Sequence, residues 1–156
     1  MTILNESLSI ESLPPNVRAT FIGGRVSKLL LPSGAKLYKF TDRALIQEIG
    51  HISPWWSAVE PIAPGDTGLS GLMERAGNLN VLPAEFARAR SAITKQWNSM
   101  SGFMVVGLQV PAYVFFGRCY AQQIDHSSKA FSNVVYIGGA WQVYLPNLDP
   151  SHLVRS

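Results

Sequence analysis

Between Gly138 and Leu148 the chain alternates in character. Ala140, Gln142 and Tyr144 fall on one side of an extended segment, and Trp141, Val143 and Leu145 fall on the other. Two glycines open this stretch and Pro146 closes it, so it reads as a strand. Its aliphatic and indole face belongs to a core, and its other face holds up Gln142, an uncharged amide that is either solvated or part of a site. A similar two-residue period marks Lys36–Thr41, with Leu37, Lys39 and Thr41 facing one way and Lys36, Tyr38 and Phe40 the other. Ala19–Ile22 before Gly23-Gly24, and Val26–Leu31 before the turn Pro32-Ser33-Gly34, predict further strands. So do Phe103–Val110, Ala112–Tyr120 and Val134–Ile137.

Helical spacing appears in three places. Thr41 caps a short segment carrying Leu45, Ile46 and Ile49 and ending at Gly50. Leu69, Leu72, Met73 and Ala76 recur at helical intervals before Gly77. A longer helix is predicted from Pro83 to Met100, with Phe86, Ala89, Ile93, Trp97 and Met100 on one stripe. Residues 51–57, 61–68 and 122–128 read as loops, and residues 1–15, ending in Pro14-Pro15, as a loose lead-in. Strands and helices come in blocks rather than in alternation, which predicts a single α+β domain over residues 1–156.

Composition changes this picture in one respect. Charged residues make up 15% of the 156, well under the usual quarter or so, so the chain either hides much of itself or offers an apolar surface to a partner. Its net charge of +3 is dispersed without a run of Lys and Arg, so no nucleic-acid footprint is present. The longest apolar run, near 103–116, is interrupted by Gly107, Gln109 and Pro111 and does not make a membrane span.

Several chemistries find no residues to carry them. Cys119 is the sole cysteine and sits in an apolar run, where an inert buried thiol is expected over a nucleophile. His51, His126 and His152 lack metal-ligand spacing. Gly23-Gly24 lacks the rest of a dinucleotide fingerprint, and no phosphate loop occurs. The pair Trp55-Trp56 after Pro54 has two readings: one indole packs inward while the other edges the core, or both wall a pocket for a planar ring.

Three elements remain: Tyr38-Lys39 on an early strand, Ser53-Pro54-Trp55-Trp56-Ser57 after it, and Gly138-Gly139-x-x-Gln142 late in the chain. With Phe116-Gly117-Arg118 and Gln142-Val143-Tyr144-Leu145-Pro146, this order resembles the ADP-ribosyltransferase-like bacterial toxins and effectors. The resemblance implies an α+β fold of split antiparallel β-sheets with flanking helices, and NAD as substrate. It implies catalytic roles for Gln142, at the nicotinamide ribose, and Lys39, at the pyrophosphate. It further implies a nicotinamide pocket built from Tyr38, Ser53, Trp55, Trp56 and Ser57, with Arg118 also contacting NAD. Lys39 stands where the family mostly has Arg or His, and a lysine cannot make the planar fork of a guanidinium; Arg25 or Arg118 are then the substitutes. Gln142 has Ala140, not Glu, two residues before it, which favours NAD hydrolysis, or a fold that has lost catalysis, over transfer to a protein. A cognate immunity protein is the expected partner. Met1–Leu13 lacks the basic and apolar regions of a Sec signal, so the expectation is synthesis in a bacterial cytoplasm and any export by a Sec-independent system. The alternative function is a protein-binding module without chemistry.

Overall fold

The structure is a computed structural model and describes residues 2–41, 53–80, 83, 102–119, 122–123, 135–136 and 140–155. The strands are β1 (Ser27–Leu31), β2 (Lys36–Thr41), β3 (Trp55–Ala58), β4 (Gly102–Leu108), β5 (Ala112–Arg118), β6 (Gln122–Gln123), β7 (Val135–Tyr136), β8 (Trp141–Tyr144) and β9 (Leu153–Arg155). Seven of them form one antiparallel sheet in the order β1-β5-β8-β3-β2-β4-β9, and β6 pairs with β7. Helices are few among the described residues: a short α1 (Pro15–Arg18) and α2 (Gly68–Asn78). The segregated blocks do give an α+β chain dominated by sheet.

β3 is the seam of the sheet. Trp55 and Trp56 pair with Tyr144 and Val143 of β8, whereas Ser57 and Ala58 pair with Tyr38 and Leu37 of β2. A loop was expected here, because two tryptophans and two serines within five residues carry no apolar alternation. The strand forms because it has partners on both edges, and each indole goes to a different face.

One face of the sheet packs the main core. Leu37, Trp56, Ala58, Val106, Val114, Val143 and Leu145 belong to it, and Leu37, Val114, Val143 and Leu145 are fully buried. The alternation expected for residues 140–145 is present, with Val143 and Leu145 at 0% exposure and Trp141 half-buried. The other face is covered by the segment from Val17 to Arg25. It is not a strand, as expected, but a helical turn that touches the sheet by a bridge between Phe21 and Cys119 and then turns tightly at Ile22–Gly24. Phe21 and Cys119 are both buried. In α2, Leu72 and Ala76 face inward one turn apart, while Met73 is exposed. The segment 61–68 leads into it through Asp66, whose carboxylate accepts from the backbone N–H of Ile62 at 3.1 Å and of Gly68 at 3.0 Å.

Other expectations need correction. Within the expected loose lead-in, Leu4 is tied to the sheet: its N–H donates to the Pro111 carbonyl, and Tyr113 N–H donates to Leu4 O. Asn5 is buried with φ +63°; its amide donates to the carbonyls of Tyr113 (3.2 Å) and Pro146 (2.9 Å) and accepts from Asn147 at 2.8 Å. Asparagine tolerates that left-handed backbone, and its side chain supplies the bonds that hold it there. Gln122–Gln123 is a strand rather than loop, because Tyr136 and Val135 supply its partners. The helices predicted over 41–50 and 83–100 lie outside the described residues, apart from Thr41, which ends β2, and Pro83. Among the described residues, no helix is long and apolar enough to cross a membrane.

The least expected tenant of the core is Lys39. It points to the same face as Leu37, is only 9% exposed, and sets its ammonium 4.1 Å above the Trp56 ring. Burial lowers its pKa from 10.5 to about 7. The single ion pair among the described residues is His152–Asp149, so no described carboxylate compensates this amine; the indole face offsets part of the cost.

The linkage has a definite sign. A lysine with a depressed folded pKa binds its proton more readily when unfolded, so between about 7 and 10.5 the unfolded chain holds the extra proton and stability rises with pH. Lys39→Met is expected to stabilise the fold by on the order of a few kcal/mol at pH 6. The same variant should flatten the rise in stability over that alkaline window, read by denaturant unfolding at several pH values.

Candidate functional site

The pairing register sorts the residues singled out from the sequence. Side chains directly across from each other in neighbouring strands share a face, and successive residues alternate. Tyr38 lies opposite Ser57, Trp55 opposite Tyr144, and Gln142 opposite Gly117. Tyr38, Trp55, Ser57, Gln142 and Tyr144 therefore project from one face, across the adjacent strands β2, β3 and β8. Lys39, Trp56 and Arg118 project from the other. The two tryptophans are thus separated by the sheet itself, and Lys39 is not brought to Gln142.

Contacts agree with this sorting. Trp55 has Tyr144 on one side at 4.8 Å between ring centroids and Phe21 at 5.8 Å. The phenol of Tyr38 is hydrogen-bonded to the Ser57 side chain, and burial foremost pushes its pKa up to about 12. It stays protonated at neutral pH. Trp56 is 3% exposed, and its indole N–H donates to the Ser53 carbonyl at 3.0 Å, so it is a core residue with its polar edge satisfied. Ser53 is exposed; its hydroxyl accepts from Trp55 N–H at 3.3 Å and so fixes the start of β3.

Gln142 is half-buried. Its amide N–H₂ reaches the Thr20 carbonyl and hydroxyl, both at 3.4 Å, which is long for either bond. The amide is covered by the 20–25 segment but only lightly held by it, so it can exchange these contacts for a ligand's hydroxyl groups.

What lets that segment approach is Gly117. A Cβ there would stand 2.5 Å from the Arg25 carbonyl and 2.7 Å from the Phe21 ring. Thr20, Phe21, Gly117 and Tyr144 thus belong to the site although sequence reasoning assigned them no role. A glycine inside an apolar strand is itself a sign of close backbone approach. Tyr144 shares parity with Gln142, and that alternation was visible too. Nothing in the sequence placed Thr20 here.

Among the described residues, open grooves lie along residues 3–8 with Asn147 and between Ser33-Gly34, Gly107–Gln109 and Val154; neither is lined by Tyr38, Trp55, Ser57, Gln142 or Tyr144. Among the described residues, no group of three or more His, Cys, Asp or Glu is placed to hold a metal ion.

Gly117→Ala is expected to push the 20–25 segment away from Gln142. Because the clash is with backbone and a buried ring, the variant should lose about 1–3 kcal/mol of stability. Accelerated amide exchange at residues 20–25, measured beside the β4 amides as an internal control, should accompany that loss.

No protein-family model and no curated protein matches the chain. Among solved structures it is similar to Tne2, determined in complex with Tni2, with a TM-score of 0.53 and 14% identity over 85% of this chain and 87% of that one. It is also similar to Rhs1-CT, determined in complex with its cognate immunity protein RhsI1, with a TM-score of 0.51 and 14% identity over 84% and 76% of the two chains. At that identity the likeness is one of fold: this chain shares its architecture with proteins whose structures were determined in complex with partner proteins.

Proposed function

We propose that the chain is a bacterial effector toxin of ADP-ribosyltransferase-like fold that cleaves NAD, with hydrolysis favoured over transfer. The observation that carries this reading is the convergence of Gln142, Tyr38, Ser57, Trp55 and Tyr144 on one face. The likeness in fold to Tne2 and Rhs1-CT supports the effector class and an immunity-type partner.

In this reading nicotinamide stacks on Trp55 and Tyr144, whose tilted rings offer a wide apolar wall. Gln142 leaves Thr20 to hydrogen-bond the nicotinamide ribose. The Tyr38–Ser57 pair, uncharged at neutral pH, offers hydroxyls to the carboxamide. Bond cleavage separates the nicotinamide nitrogen from the ribose anomeric carbon; nicotinamide leaves neutral, water adds to that carbon, and a proton is released. A neutral amide stabilises the cationic transition state less than a carboxylate does, which favours a modest rate and water as acceptor. Lys39, Trp56 and Ser53 act as framework. The pyrophosphate then falls to Arg25, carried by the segment that covers Gln142.

NAD consumption by the purified protein, with and without bacterial lysate, tests this. Turnover without lysate is expected, with Gln142→Ala lower by about 10²–10³-fold and Lys39→Met folded and active. Turnover that survives Gln142→Ala, or that Lys39→Met abolishes while the fold holds, would show that the active face is drawn wrongly. Turnover only with lysate would make the protein a transferase. No turnover under either condition would favour the binding module.

A further inference from the structure

On the face opposite Gln142, Arg118 and Trp141 stand across from each other at neighbouring positions of β5 and β8. The guanidinium is exposed and lies 5.2 Å above the indole ring. Among the described residues, the indole N–H of Trp141 is the one buried side-chain polar atom without a hydrogen-bond partner. Leaving such a donor unsatisfied costs about 1–3 kcal/mol.

The two donors border the same small space. Gly65, with φ +89°, passes beneath them, and the point its missing Cβ would occupy is 3.1 Å from a terminal nitrogen of Arg118 and 3.9 Å from Nε1 of Trp141. The neighbouring acid, Asp66, is turned to the backbone N–H groups of Ile62 and Gly68 in the 62–68 turn and makes no described ion pair with Arg118. Arg118 forms no ion pair among the described residues. Among the described residues the corner therefore holds two convergent donors and no acceptor.

We propose that Arg118, Trp141 and Gly65 form the receptor for one carboxylate, an Asp or Glu side chain of a partner protein. A carboxylate fits because its two oxygens can take one guanidinium N–H and one indole N–H at once, with the exposed Arg118 swinging aside to admit it. A phosphate fits less well, since among the described residues the corner offers a single cation for its two charges. A protein source matches the chain's net charge of +3, which favours an acidic partner. It also matches the proteins of like fold that were solved with immunity partners. The inference rests on the partner half of the proposed function and is independent of NAD chemistry.

The indole N–H is its own reporter. In the ¹⁵N-labelled protein its resonance is assigned by loss in Trp141→Phe, then followed while a blocked peptide, acetyl-Ala-Glu-Ala-amide, is added. The Gln analogue of that peptide and inorganic phosphate serve as parallel titrants. A saturable shift with the Glu peptide alone is expected, weakened about tenfold or more in Arg118→Gln, which alters only an exposed side chain. Absence of a saturable shift, an equal response to the Gln peptide, or undiminished affinity in Arg118→Gln would overturn the proposal. An equal response to phosphate would make the corner an adventitious anion site instead. A protein that turns over no NAD but gives the shift would sink the enzymatic reading and leave this one standing.

Discussion

The four residues Trp55–Ala58 hold the two halves of the sheet together. Their first pair bonds to β8 and their second to β2, so the β1-β5-β8 half and the β2-β4-β9 half meet only through this segment. Register here is not negotiable. A slip of one residue would turn Trp56 out of the core, bring Trp55 and Ser57 into it, and exchange the faces of every residue that depends on the pairing. The Trp56 N–H to Ser53 and the Trp55 N–H to the Ser53 hydroxyl pin the segment from its N-terminal side.

Because that register is fixed, the faces of the sheet carry different burdens. One is filled by aliphatic side chains and Trp56 and stores the stability. The other is lined by Trp55, Tyr144, Tyr38 and Phe115 but keeps Gln142 and Ser57 among them, and over Gln142 it is roofed by the short segment that turns at Ile22–Gly24. A roof of that kind bonds to the sheet at few points. Such segments open more readily than the elements beneath them, which suits the ligand-binding role proposed for this face.

Lys39 and Asn5 show the chain tolerating local cost for global arrangement. Lys39 occupies a core position that an apolar residue would fill more cheaply; burial lowers its pKa to about 7, and the Trp56 ring offsets part of the cost of its charged form. Asn5 accepts a left-handed backbone to tie the N-terminal segment to Tyr113, Pro146 and Asn147, and so closes the far end of the sheet. At 14% identity, the neighbours of like fold share architecture without sharing a recognisable sequence. The chemistry assigned to this face must therefore come from this chain's own residues.

The sequence by itself determined local alternation. The two-residue period of residues 140–145 placed Val143 and Leu145 in the core and Gln142 and Tyr144 together on the opposite face, and that of Lys36–Thr41 separated Leu37 and Lys39 from Tyr38. Helical spacing found Leu72 and Ala76. These succeed because burial of every second or every third-to-fourth residue is a property of one segment alone. What each segment meets is not such a property. Only tertiary pairing made Trp55–Ala58 a strand, sent its indoles to opposite faces, carried Lys39 away from Gln142, and bent residues 17–25 over the site. Only the passage of Gly65 beneath two strands set the Trp141 N–H beside Arg118 without an acceptor. Each depends on contacts between residues tens of positions apart, and no local period encodes which distant strand will supply the missing hydrogen bonds.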